Sequence, residues 1–113
     1  MESILAKMRE YLKMETEIAF EEFKDYYEQI MDYLQNSYDG MTDNELFAAR
    51  FVLDIVSSNS KSRAIRKGPE SKKYKKIAEK TSFWSEAIEF RLKKAGMSQH
   101  DIDAAVAKIG QEE

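Results

Sequence analysis

Cysteine is absent from this 113-residue chain, which excludes a disulfide framework, a thiolate nucleophile and a cysteine-ligated zinc site. Histidine occurs once, at His100, with only Asp101 and Asp103 as acidic neighbours. A histidine-rich metal centre and a Ser-His-Asp arrangement are therefore not expected. One proline and four glycines leave little material for turns, and none of it forms a glycine-rich phosphate loop. Long apolar runs are missing too. The most apolar segment, residues 46–56, is broken by Arg50 and Asp54 and falls short of the roughly 18 residues a membrane span needs. The start, Met1 to Lys7, has neither the basic opening nor the apolar stretch of a secretory signal. A cytoplasmic location is the expectation, with no cofactor, no catalytic residue and no metal site.

Strand-like alternation is also lacking, and no internal repeat is found, so the class is all-α. A chain of this length suits one domain, 1–113. Apolar residues at Ile4, Met8, Tyr11, Leu12, Ala19, Phe23, Tyr26, Ile30 and Tyr33 recur in steps of three and four, predicting a long N-terminal helix that bends at the polar Lys13 to Glu17 or divides there into two. Asn36 to Gly40 has the residues of a turn. Thr42 and Glu45 stand at capping-box spacing, and the helix they open is apolar around most of its circumference from Leu46 to Val56, as a buried second helix should be. Ser57 to Ser62 is polar and small, which predicts a mobile connection over 57–68. Pro69 suits the first position of the next helix. From Tyr74 through Ile77, Ala78, Thr81, Trp84, Ile88, Leu92 and Ala95 the helical period holds up to Gly96, a C-terminal cap. Ser98 opens a last short helix that ends near Gly110, and 111–113 should fray. The expected architecture is a small bundle of four to five helices.

Charge is divided unevenly along this pattern. Residues 1–60 carry five Lys/Arg against thirteen Asp/Glu, and residues 61–113 carry thirteen against eight. Between Lys61 and Lys80 lie nine cations and only two anions, Glu70 and Glu79. A block of this kind attracts a polyanion or faces the acidic half of its own chain. In the first case Arg63, Arg66, Lys67, Lys72, Lys73, Lys75 and Lys76 form a phosphate-neutralising stripe, with salt-sensitive and sequence-independent binding.

Residues 74–95 also carry a spacing of small and apolar positions, with Ala78 where two helices would cross, Phe83 after a turn, and Ile88 and Leu92 anchoring a second helix. This resembles the helix-turn-helix of the Cro and repressor type. The resemblance implies a turn near Thr81-Ser82 and a DNA-reading helix that presents Trp84, Ser85, Glu86, Glu89, Phe90 and Lys93. Ser82 stands where that family usually has Gly, and Thr81 where Leu is typical. One long helix through the same residues is the competing reading.

Aromatic residues supply a second function class. Tyr26, Tyr27, Phe83 and Phe90 are candidates for a protein interface, because aromatic side chains are enriched in such contacts. The expected function is a non-enzymatic helical protein whose residues 61–80 engage nucleic acid, with a regulatory role among the readings this allows. The alternative is an adapter or self-associating module without nucleic-acid contact.

Overall fold

The computed structural model describes residues 1–66 and 68–112, and among them every regular element is helical. Helix α1 is Glu2–Leu12 and buries Ile4 and Met8. Helix α2 is Phe20–Ser37 and buries Phe23, Tyr26, Ile30, Met31 and Leu34. The long N-terminal helix expected from the sequence is thus two helices. The polar run after Leu12 offers no apolar face to bury, and the chain leaves the helix there; Glu21 and Glu22 then favour a fresh helix start by facing its positive end.

A 3₁₀ turn, Tyr38–Gly40, leads into helix α3, Asp43–Ile65. The capping box forms: the Glu45 amide donates to Thr42 Oγ1 at 3.2 Å, and the Thr42 amide donates to Glu45 Oε1 at 3.0 Å. The Thr42 amide bond, followed by the Tyr33 hydroxyl donating to Glu45 Oε2 at 2.7 Å, holds the Glu45 carboxyl below its ordinary pKa.

Helix α4 is Ser71–Lys94 and helix α5 is Gln99–Gln111. Gly96 ends α4 with φ +106°. The Gly96 amide donates to Lys93 O at 3.0 Å and the Met97 amide to Leu92 O at 3.1 Å, the paired bonds of a Schellman cap, which needs a left-handed residue at this position. Ser98 then caps α5 by accepting from the Asp101 amide at 3.1 Å.

Helix α3 is the hub, packed chiefly on α4 and also on α5 and α1. Its contacts with α4 run antiparallel in register: Ser57 meets Ser82 at 3.0 Å, the Ser85 hydroxyl donates to Asp54 at 3.2 Å, and Arg50 meets Glu89 at 3.7 Å. This seam corrects the mobile connection expected over 57–68. Residues 57–65 belong to α3, and Ser57 and Ser60 are buried there beside Thr81 and Ser85 of α4. Small side chains let the two helices approach. Their hydroxyls are satisfied locally, Ser60 by donating to Val56 O at 2.7 Å and Thr81 by donating to Ile77 O at 2.9 Å. The break after α3 is confined to residues 66–70, of which Lys67 lies outside the described residues. Pro69 precedes α4 instead of opening it, since the cap is Glu70.

The radius of gyration is 14.0 Å, close to the approximately 13 Å of a packed domain of this length. Helix α5 seats Ile102 fully in the core and runs to Gln111. Glu113, placed by the sequence reading in a frayed end, lies outside the described residues. No described helix is long and apolar enough to cross a membrane.

Candidate nucleic-acid interface

Arginine and lysine have separate places in this molecule. All five arginines are held by the chain itself. Arg9 donates to Ile109 O at 3.1 Å in the last turn of α5, and Arg91 donates to Met41 O at 2.9 Å between the 3₁₀ turn and α3. Arg50 pairs with Asp54 at 3.0 Å. Arg63 and Arg66, both placed by sequence reasoning in the phosphate-binding stripe, turn inward or sideways to Glu17.

Arg63 is only 9 % exposed. One of its Nη atoms donates to Ile18 O at 3.1 Å and to the Tyr74 hydroxyl at 3.0 Å, and the guanidinium lies 4.6 Å from the Phe23 ring centroid. It also lines a cavity of about 310 Å³ with Met8, Tyr11, Phe23 and Ile55. Its planar fork reaches two acceptors and an aromatic face together, a combination an ammonium group does not offer. Arg63 is therefore a core residue that ties the segment between α1 and α2 onto α3, and its place in the stripe is corrected. Arg66 is exposed but engaged through both nitrogens of its fork with Glu17, one bond measuring 2.8 Å. That hydrogen-bonded pairing holds the Glu17 carboxyl below its ordinary pKa and pushes the Arg66 guanidinium up.

The lysines stand differently. Lys72, Lys73, Lys75, Lys76 and Lys80 of α4 and Lys61 of α3 are exposed. Ion pairs among the described residues engage Lys7, Lys24 and Lys93 but none of those six. Lys73 lies 5.3 Å over the Phe20 ring. Glu79, on the same stretch of helix, makes no ion pair with Lys75 or Lys76. Lys80 completes the group and was missed as a site residue, although its position four residues after Lys76 is the sequence signal for a shared face.

No family model matches the chain, and neither a curated protein nor a solved structure matches it significantly. The site stands on its own geometry.

Residues 71–94 form one uninterrupted helix, so the spacing that resembles a helix-turn-helix falls on a single element. Thr81 is buried and donates to Ile77 O and Ala78 O within the helix, and the Ser82 hydroxyl meets Ser57. Both residues of the implied turn are used in α4's packing on α3. Of the candidate interface residues, Tyr26 is buried, its hydroxyl donating to Ile4 O at 2.7 Å, and it is removed from any interface as a correction. Tyr27 is half-buried. Phe83 and Phe90 are 63 % and 68 % exposed.

Proposed function

We propose that this protein binds nucleic acid through the outward face of α4, with Lys72, Lys73, Lys75, Lys76 and Lys80 neutralising phosphates. The observation that carries the reading is that these five lysines are exposed, form no ion pair among the described residues and are arranged against the helix's own interest. Lys72 and Lys73 sit in the first turn, where the helix end is already positive and carboxylates are preferred. Lys72 with Lys75 and Lys76, Lys73 with Lys76, and Lys76 with Lys80 stand three or four residues apart, and each such like-charged pair costs a helix roughly 0.2–0.5 kcal/mol. An arrangement that weakens its own element marks a place where an outside partner supplies the compensation. A run of phosphates does so, and releases counterions as it binds. Arg63 and Arg66, occupied by Glu17, are not part of this site.

The test is fluorescence anisotropy of a labelled oligonucleotide against the protein over a series of salt concentrations. Replacing Lys72, Lys73, Lys75 and Lys76 together by Ala is expected to flatten the log-log salt dependence by about three units, with helix content unchanged by circular dichroism. Salt-insensitive binding, or an unchanged slope in the variant, refutes the reading.

A second reading has its own support. Glu21, Asp25, Glu28 and Asp32 make an exposed acidic row on α2, complementary to the lysines of α4 and carried by the same chain. Self-association through these rows predicts an oligomer in light scattering that dissociates as salt is raised. A monomer at every salt concentration removes it.

A further inference from the structure

Along the side of α4 turned away from the core, lysines and aromatic rings stand together with two carboxylates, Glu79 and Glu86. Lys72, Lys76, Lys80, Phe83, Ala87, Phe90 and Lys94 follow one another at steps of four, four, three, four, three and four, so they form a continuous line along the side of α4 opposite Tyr74, Ile77, Thr81, Ile88 and Leu92, which are buried. The line is about 33 Å long at 1.5 Å per residue. Glu79, four residues before Phe83, and Glu86, four before Phe90, border the line on the side of Lys75 and Lys93.

Within the line, cations give way to aromatic rings. Phe83 and Phe90, two turns or about 10 Å apart, leave most of their surface in solvent. Phe83 meets Trp84 edge-on, with ring centroids 6.0 Å apart, and Trp84 is itself seated against Tyr38 at 5.2 Å. Lys94 lies 6.0 Å over the Phe90 ring. Phe83 is thus exposed beside a seated neighbour, and neither ring is folded back onto the core.

We infer that the nucleic acid held on this face is single-stranded, with unpaired bases stacking on Phe83 and Phe90 while Lys72, Lys76, Lys80 and Lys94 neutralise the flanking phosphates. The inference rests on the phosphate reading above. A duplex keeps its base faces closed and turns its charged backbone outward, so it brings nothing apolar to two exposed rings. If α4 entered a groove, phosphates on both walls would also meet Glu79 and Glu86. A single strand follows one side of a helix and offers a π-face with every base whatever its identity. The chemistry of the line therefore selects an unpaired strand of little sequence preference.

The experiment compares a labelled oligothymidylate of about 16 nucleotides with a hairpin duplex of equal phosphate number, using the full chain and its Phe83→Ala, Phe90→Ala and Phe83→Trp variants at one salt concentration and then across a salt series. The expected result is preference for oligothymidylate, a loss of fivefold or more in its affinity for each Ala variant, retention with Phe83→Trp, and an unchanged salt slope throughout. Equal affinity for both oligonucleotides, with the Ala variants indistinguishable from the parent, overturns the single-strand inference and leaves the phosphate reading standing. Binding of neither oligonucleotide at low salt overturns both. Light scattering on the same samples provides a further outcome: an oligomer that Phe83→Ala converts to monomer assigns the rings to a second copy of the chain and overturns the inference. Because both rings are exposed, the variants should fold, and circular dichroism on each sample checks that they do.

Discussion

Replacing Arg63 by Ala is expected to destabilise the protein by about 3 kcal/mol and to lower its melting temperature by about 10 °C. The residue makes two hydrogen bonds from a charged donor, to Ile18 O and the Tyr74 hydroxyl, and bonds of that kind contribute about 1.5–3 kcal/mol each. The contact with the Phe23 ring adds about 1 kcal/mol. Burying the guanidinium costs part of this back, because Glu17, its nearest carboxylate at 3.9 Å, is half in solvent and compensates it weakly. Removal also leaves Ile18 O without its donor and opens space between α2, α3 and α4. Lysine at the same position should recover less than half of the loss, since it cannot bridge the two acceptors and lie flat on the ring. Arg66→Ala, which removes only an exposed ion pair, should change stability by less than about 1 kcal/mol. Urea denaturation of the three variants decides the matter. Equal effects for Arg63 and Arg66 would contradict the buried role.

Alkali should unfold the protein through its tyrosines. Burial pushes the Tyr26 hydroxyl well above its ordinary pKa, with the nearby Tyr11 adding to the effect. Tyr11 is pushed up to about 12, mainly by burial and then by the Glu22 carboxylate. The two rings meet edge-on with centroids 5.2 Å apart. Each hydroxyl is neutral in the folded state and ionises more readily in the unfolded chain, whose value is near 10. Their contribution to stability is therefore complete below about pH 10 and is lost as pH rises from there through the folded-state values, by up to about 1.4 kcal/mol per pH unit for each group. Denaturation curves at a series of pH values above neutrality should show a plateau and then a steep fall. Tyr26→Phe should lose about 1 kcal/mol at neutral pH with its bond to Ile4 O, and should fall less steeply in alkali. A curve flat into strong alkali, or one identical for the variant, would show that Tyr26 is not shielded as described.

Much of the fold could be read from the chain because α4 repeats one physical demand for more than six turns. Tyr74, Ile77, Ala78, Thr81, Ile88 and Leu92 are buried, and the face opposite them is the face that carries the lysines. The Thr42 box and the Gly96 cap were legible for the same reason, since each is a local solution to unpaired backbone groups. The serines of α3 were not. Ser57 and Ser60 are polar by composition but act by their size, and only the neighbouring helix makes that visible. Arg63 was missed because charge in a sequence carries no address: a guanidinium five residues from Gly68 looks like its exposed neighbours until Ile18, Phe23 and Tyr74 surround it. The cations whose exposure could be read from the sequence were those whose helical position alone set it.

The division between guanidinium and amine has a chemical corollary. Among the described residues, every cationic side chain that hydrogen-bonds a backbone carbonyl is an arginine, whose charge persists at any pH a cell reaches. The positive face of α4 consists wholly of primary amines, and acyl transfer to a lysine nitrogen cancels its charge. The outward potential of this protein is thereby adjustable in single steps, one side chain at a time, while the electrostatics that maintain its interior stay constant.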